Sequence, residues 1–155
     1  MKRAVFPGSF DPITIGHVDI VKRALPLFDE VIIAVGINSQ KATLFPLEMR
    51  KAWIEKVFKN ENKVRADSYE GLTIEYCKRV EANYIIRGIR SALDFEYEKT
   101  IAHLNHAMEE NVETILILSA PELSSISSTI VREIIRGKGM ASKFIPAEIA
   151  EDMPR

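Results

Sequence analysis

Glu30-Val31-Ile32-Ile33-Ala34-Val35-Gly36 decides the fold class. The run is β-branched and almost continuously apolar, the pattern of a strand covered on both faces. Upstream, residues 15–25 read as a helix that ends near Pro26, and Ala4-Val5-Phe6 as a buried strand entering a loop at Pro7-Gly8. Downstream, the polar turn Asn38-Ser39-Gln40-Lys41 leads to a helix from about Pro46, with Met49, Trp53, Val57, Ile54 and Phe58 as its apolar face. Val64 marks a short third strand. A helix over 72–80 follows Gly71 and turns Ile74 and Cys77 to one side. Tyr84-Ile85-Ile86 is a fourth strand, broken by Arg87-Gly88. Tyr97, Ile101, Leu104 and Met108 recur at helical spacing, and Thr114-Ile115-Leu116-Ile117-Leu118 is the fifth strand. A helix over 130–136 is stopped by Gly137, and Pro146 opens a short last one. Helices alternating with strands predict an α/β fold: a doubly wound, five-stranded parallel sheet with right-handed crossovers. In such a sheet the ligand lies beyond the C-terminal ends of the strands.

The 155 residues are 46% hydrophobic, enough for one core, so a single domain over 1–155 is expected. Lys plus Arg (21) nearly balances Asp plus Glu (22), which argues against a nucleic-acid partner. A lone cysteine, Cys77, excludes an intrachain disulfide, and its register with Ile74 makes it a core residue. No apolar stretch suits a signal peptide or approaches the ~18 residues of a membrane span, so a cytoplasmic location with no membrane partner is expected.

Four segments that follow strands carry groups suited to anions. Pro7 to His17 holds Gly8, Ser9, Gly16 and His17, but matches neither the dinucleotide fingerprint nor a Walker A loop. His17 stands at a helix start, where free N–H groups favour an anion; taken alone it is equally a structural histidine. Lys41, in the second segment, reads by itself as a solvated loop lysine. Arg87-Gly88-Ile89-Arg90 is either a phosphate clamp or a set of ion pairs with Asp94, Glu96 or Glu98. Ser124-Ser125-Ile126-Ser127-Ser128-Thr129 is either a polar loop with a helix cap or a site for β- and γ-phosphates, with Arg132 one turn in. His103 and His106 share a helix side without a third ligand, so no residue set reads as a metal site. Trp53 and Tyr97 read as packing aromatics. Together the four segments indicate a nucleotide or phosphate enzyme.

The combination resembles a known family. Thr14-Ile15-Gly16-His17 is similar to the T/H-x-G-H signature of the nucleotidyltransferase superfamily, and Ile126-Ser127-Ser128-Thr129 with Arg132 to its I-S-S-T/S-x-x-R/K signature. Phe6 to Pro12, Lys41, Arg87 to Arg90 and Asp94 to Glu98 resemble bacterial phosphopantetheine adenylyltransferases over nearly the whole chain. The resemblance implies a Rossmann-like nucleotidyltransferase fold. It also implies transfer of AMP from ATP to 4'-phosphopantetheine, yielding 3'-dephospho-coenzyme A and pyrophosphate. Ser9, Phe10, His17, Gly88, Ile89, Arg90, Glu98 and Leu123 to Thr129 (Leu123, Ser124, Ser125, Ile126, Ser127, Ser128, Thr129) would form the ATP site. Ser9, Lys41, Thr73 and Arg87 would take phosphopantetheine, and His17, Lys41 and Arg90 would be catalytic. Magnesium (Mg2+), a homohexamer and feedback inhibition by coenzyme A are implied too. The competing readings are adenylyl transfer to nicotinate mononucleotide, CMP transfer to a phosphorylated alcohol, a non-catalytic nucleotide-binding regulator and an RNA-binding protein.

Overall fold

The structure, a computed structural model, describes residues 1–154. Five parallel strands make one sheet: β1 (Arg3–Gly8), β2 (Glu30–Ile37), β3 (Val64–Glu70), β4 (Tyr84–Ile89) and β5 (Glu113–Leu118). Their order, β3-β2-β1-β4-β5, sends the chain outward from β1 in both directions, the doubly wound arrangement. The helices are α1 (Ile15–Ala24), α2 (Leu47–Val57), α3 (Thr73–Arg79), α4 (Ala92–Met108) and α5 (Ser128–Arg136), with short 3₁₀ turns at Leu25–Leu27, Pro121–Leu123 and Ala147–Asp152. None of the described helices is long and apolar enough to cross a membrane.

Strand alternation divides the core in two. Ala4, Phe6, Val31, Ile33, Val35 and Ile86 point to one face, where α1, α2 and α5 bring Val21, Trp53, Ile54 and Val131. Val5, Ile32, Ala34 and Ile85 point to the other, against Ile74, Tyr76 and Cys77 of α3. Both sides of β1 and β2 are therefore dry, which is why their sequences are continuously apolar.

Four elements depart from the sequence reading. β3 runs for 7 residues although it is mostly polar, because it pairs with β2 from Val31↔Val64 to Ile37↔Glu70. β4 is not broken at Arg87-Gly88: those residues pair with Leu116 and Ile117 of β5. A side chain on Gly88 would press on Ile20 at 3.3 Å, so the glycine there serves the packing of α1 on the sheet. Finally, the apolar stripe of α4 does not enter the core. Tyr97, Leu104 and Met108 are more than half exposed, and the buried residue of this helix is Glu98. Met49, expected on the buried face of α2, is likewise exposed.

Candidate active site

The loop after β1 forms the first wall of the site. Phe10 adopts a left-handed backbone (φ 46°), and its buried ring meets Phe6 and His17 edge-on, at 5.3 and 4.9 Å between centroids. A Cβ on Gly8 would lie 3.0 Å from that ring, so a glycine lets the turn close. Thr14 caps α1: its hydroxyl accepts from the His17 N–H at 3.3 Å, and the Thr14 N–H donates to His17 Nδ1 at 3.0 Å. This is a capping box with histidine in the place of the usual Glu or Gln. A backbone N–H can only donate, so Nδ1 is unprotonated and the neutral ring carries its hydrogen on Nε2. Burial, helped by the charges of Arg87 and Arg90, pushes the His17 pKa down to about 4. His17 is thus a neutral ring with one oriented donor.

The other three segments close on the same space. Lys41 Nζ lies 3.3 Å from Ser9 Oγ. Arg87 forks onto Glu98 through Nε (2.9 Å) and Nη2 (2.8 Å), and Nη1 donates to the Pro7 carbonyl at 2.7 Å. Three of the five guanidinium N–H groups are then used, leaving one on each terminal nitrogen. Glu98, with 6% exposure, is neutralised by this bidentate pair. Arg90 bonds Asp94 through its backbone N–H (3.0 Å) and Nε (3.3 Å). The ion-pair expectation for the arginines therefore holds, with Glu98 and Asp94 as partners, and both arginines also line the cleft. Ser127 caps α5 by accepting from the Ile130 N–H at 3.2 Å, and Ser128 Oγ donates to the Pro12 carbonyl at 2.8 Å.

All four segments surround one cleft of about 290 Å³ at the switch point between β1 and β4. It takes in Ser9, Phe10, His17, Lys41, Arg87, Gly88, Arg90, Glu98, Leu123, Ile126, Ser127, Ser128 and Thr129 of the residues expected there. Four expected residues lie elsewhere. The Ile89 side chain is buried in the strand interior, because β4 continues through it. Ser124 turns its hydroxyl back to the Pro121 carbonyl at 2.9 Å, and Ser125 is outside the cleft. Thr73 bonds Tyr69 at 2.7 Å and opens on a second cavity of about 200 Å³, which shares Pro7, Arg87 and Glu98 with the first.

A family model for cytidylyltransferase-like proteins matches residues 5–134. A phosphopantetheine adenylyltransferase of Flavobacterium psychrophilum is 52% identical, aligned over 96% of this chain and 98% of that one. One from Bdellovibrio bacteriovorus is 45% identical over 98% and 95%. The chain belongs to the phosphopantetheine adenylyltransferases, within the cytidylyltransferase-like family.

These adenylyltransferases are nucleotidyltransferases, and the chain is an enzyme of that class. A solved structure from Vibrio parahaemolyticus, provisionally named a nicotinate-nucleotide adenylyltransferase, superposes with a TM-score of 0.73 over 97% of both chains at 17% identity, a likeness of fold alone.

Adenylyltransferase signatures draw attention to groups that face the cleft, and so miss the residues behind it. Asp11 and Arg50 are both buried. Asp11 accepts the Leu44 and Phe45 N–H groups at 2.8 and 2.9 Å, and Arg132 donates to the Asp11 carbonyl at 2.9 Å. Asp11 stands inside the Phe6 to Pro12 motif, so a signal existed. Arg50 had none, since a charged residue in a helix reads as surface. Among the described residues no group of three His, Cys, Asp or Glu side chains could cage a metal. Magnesium takes oxygen ligands and keeps most of its waters, so a nucleotide's phosphates would be its chief ligands.

Proposed function

We propose that the enzyme transfers the adenylyl group of ATP to 4'-phosphopantetheine, giving 3'-dephospho-coenzyme A and pyrophosphate, a step of coenzyme A biosynthesis. The relatives' activity supports this, and the observation that carries it is the oriented Nε2 donor of His17 in a cleft lined by Lys41, Arg87, Arg90 and Arg132. An acceptor phosphate oxygen attacks the α-phosphorus in line, forming the new P–O bond as the bond to pyrophosphate breaks. A phosphate is already ionised near neutral pH, so no strong general base is required. The protein's part is alignment and charge stabilisation, without a covalent enzyme intermediate. Ser9, Lys41 and the spare N–H groups of Arg87 hold the acceptor phosphate. His17 donates to the α-phosphate as charge accumulates there. Arg90 and the N–H groups of Ser128 and Thr129 at the start of α5, which no helix bond uses, hold the departing pyrophosphate. Magnesium, bound to the triphosphate, would supply further neutralisation of its charge.

The second cavity suits the pantetheine arm. It begins at Arg87, where the phosphate would sit, and continues past Thr73, Ile101, Ala102 and Asn105. The exposed stripe of α4 supports self-association, and the resemblance to the family supports a homohexamer as the assembly, coenzyme A as feedback inhibitor and the cytoplasm as location. Pyrophosphate release, measured with ATP and magnesium against 4'-phosphopantetheine and nicotinate mononucleotide in parallel, tests the acceptor. Release with phosphopantetheine alone is expected; release with nicotinate mononucleotide alone would overturn the substrate while leaving the fold intact.

A further inference from the structure

Arg50 lies in the first turn of α2 with only 5% of its surface exposed. Its guanidinium is matched by carbonyls rather than by a carboxylate: Nε donates to Phe45 O at 3.0 Å and Nη1 to Ser9 O at 2.8 Å. The Phe45 residue is held from both sides, because its N–H goes to Asp11 and its carbonyl to Arg50. Two separate loops are thereby fastened together. One carries Ser9; the other carries Lys41, whose Nζ reaches Ser9 Oγ at 3.3 Å on the cleft side. Neither loop has a sheet ladder to fix it beyond the ends of β1 and β2. Burying a charged group for this purpose is costly, and burial does lower the Arg50 pKa, with Asp11 acting in the opposite sense.

We infer that Arg50 is a positioning residue, which sets the spacing of Ser9 and Lys41 and so aligns the acceptor phosphate without touching substrate. It does not line the cleft. The inference rests on the proposed acceptor site at Ser9, Lys41 and Arg87. His17, Arg90 and α5 lie outside the two carbonyl contacts, so of the groups expected at the nucleotide only Ser9 is disturbed and nucleotide binding should change little. Misplacement of a reacting group by ~1 Å can cost ~10²-fold in rate.

The test is steady-state kinetics of Arg50→Met and Arg50→Lys, combined with amide hydrogen exchange. Arg50→Met should raise KM for 4'-phosphopantetheine by ~10-fold and lower kcat by ~10- to 100-fold, with KM for ATP changed less than ~3-fold. Arg50→Lys keeps a cationic donor and should recover part of the loss. The Leu44 and Phe45 amides should exchange at least ~10-fold faster in Arg50→Met, with Ile32 and Ile33 unchanged. Wild-type kinetics with unchanged exchange would overturn the inference. So would equal rises in both KM values with faster exchange throughout β1 and β2, which mark a merely structural role. Should the wild type not turn over phosphopantetheine, the proposed acceptor fails, and exchange at Leu44 and Phe45 alone decides the role of Arg50.

Discussion

His17 shows how one ring can be both part of a helix cap and an oriented hydrogen-bond donor. The capping box with Thr14 fixes the ring and commits Nδ1 as acceptor, so Nε2 faces the cleft with a hydrogen in place. Acidification would charge the ring only against burial and two arginines. In ¹⁵N-histidine spectra the His17 ring should remain the Nε2–H tautomer from pH 7.5 to about 5, since its pKa lies at about 4. A midpoint near 6.5, or a proton on Nδ1, would refute the assignment. The sign of the linked stability follows. Between pH 6.5 and about 4 the unfolded chain binds a proton at this residue that the native ring refuses, so its effect is full stability above 6.5 and progressive loss as pH falls through that window. The motif made His17 visible in the sequence. Its tautomer was not, because that depends on where the Thr14 N–H points.

At the scale of elements, sequence patterns were reliable where the protein itself buries the residues and misleading where it does not. The apolar runs of β1 and β2 announced a two-sided core, and both were buried. β3 shows the limit: Arg65, Asp67 and Ser68 hide a strand that pairing with β2 holds in place. In α4 the apolar spacing predicts a helix with one apolar face and Tyr97 as a packing aromatic, but Leu93, Tyr97, Leu104 and Met108 are exposed in the isolated chain. Periodicity reports that a face is covered, not by what. Leu104→Glu tests the proposed subunit contact at this stripe. Because Leu104 is 59% exposed, the variant should fold with an unchanged circular dichroism spectrum. In analytical ultracentrifugation it should sediment as smaller species than the wild type; identical sedimentation of the two would rule out this surface as the contact.

The whole molecule gathers four weak signals into one strong one. Ser9 with His17, Lys41, Arg87 with Arg90, and the Ser127 to Thr129 run come from four strand ends, and the order β3-β2-β1-β4-β5 brings them to one crevice. Strand alternation was enough to anticipate that convergence. The clamp behind it, made by Asp11, Arg50 and Arg132, depends on buried side-chain geometry that no sequence pattern expresses. The convergence suits the proposed reaction, which needs charge stabilisation more than proton transfer. Rapid-quench single turnover with ATP labelled at the α-phosphate, comparing wild type with His17→Ala, tests this most directly. Label should pass straight into 3'-dephospho-coenzyme A with none retained on protein, and His17→Ala should slow that step by ~10²- to 10³-fold. Label trapped on the protein, or an unchanged rate in His17→Ala, would contradict direct transfer stabilised by this histidine.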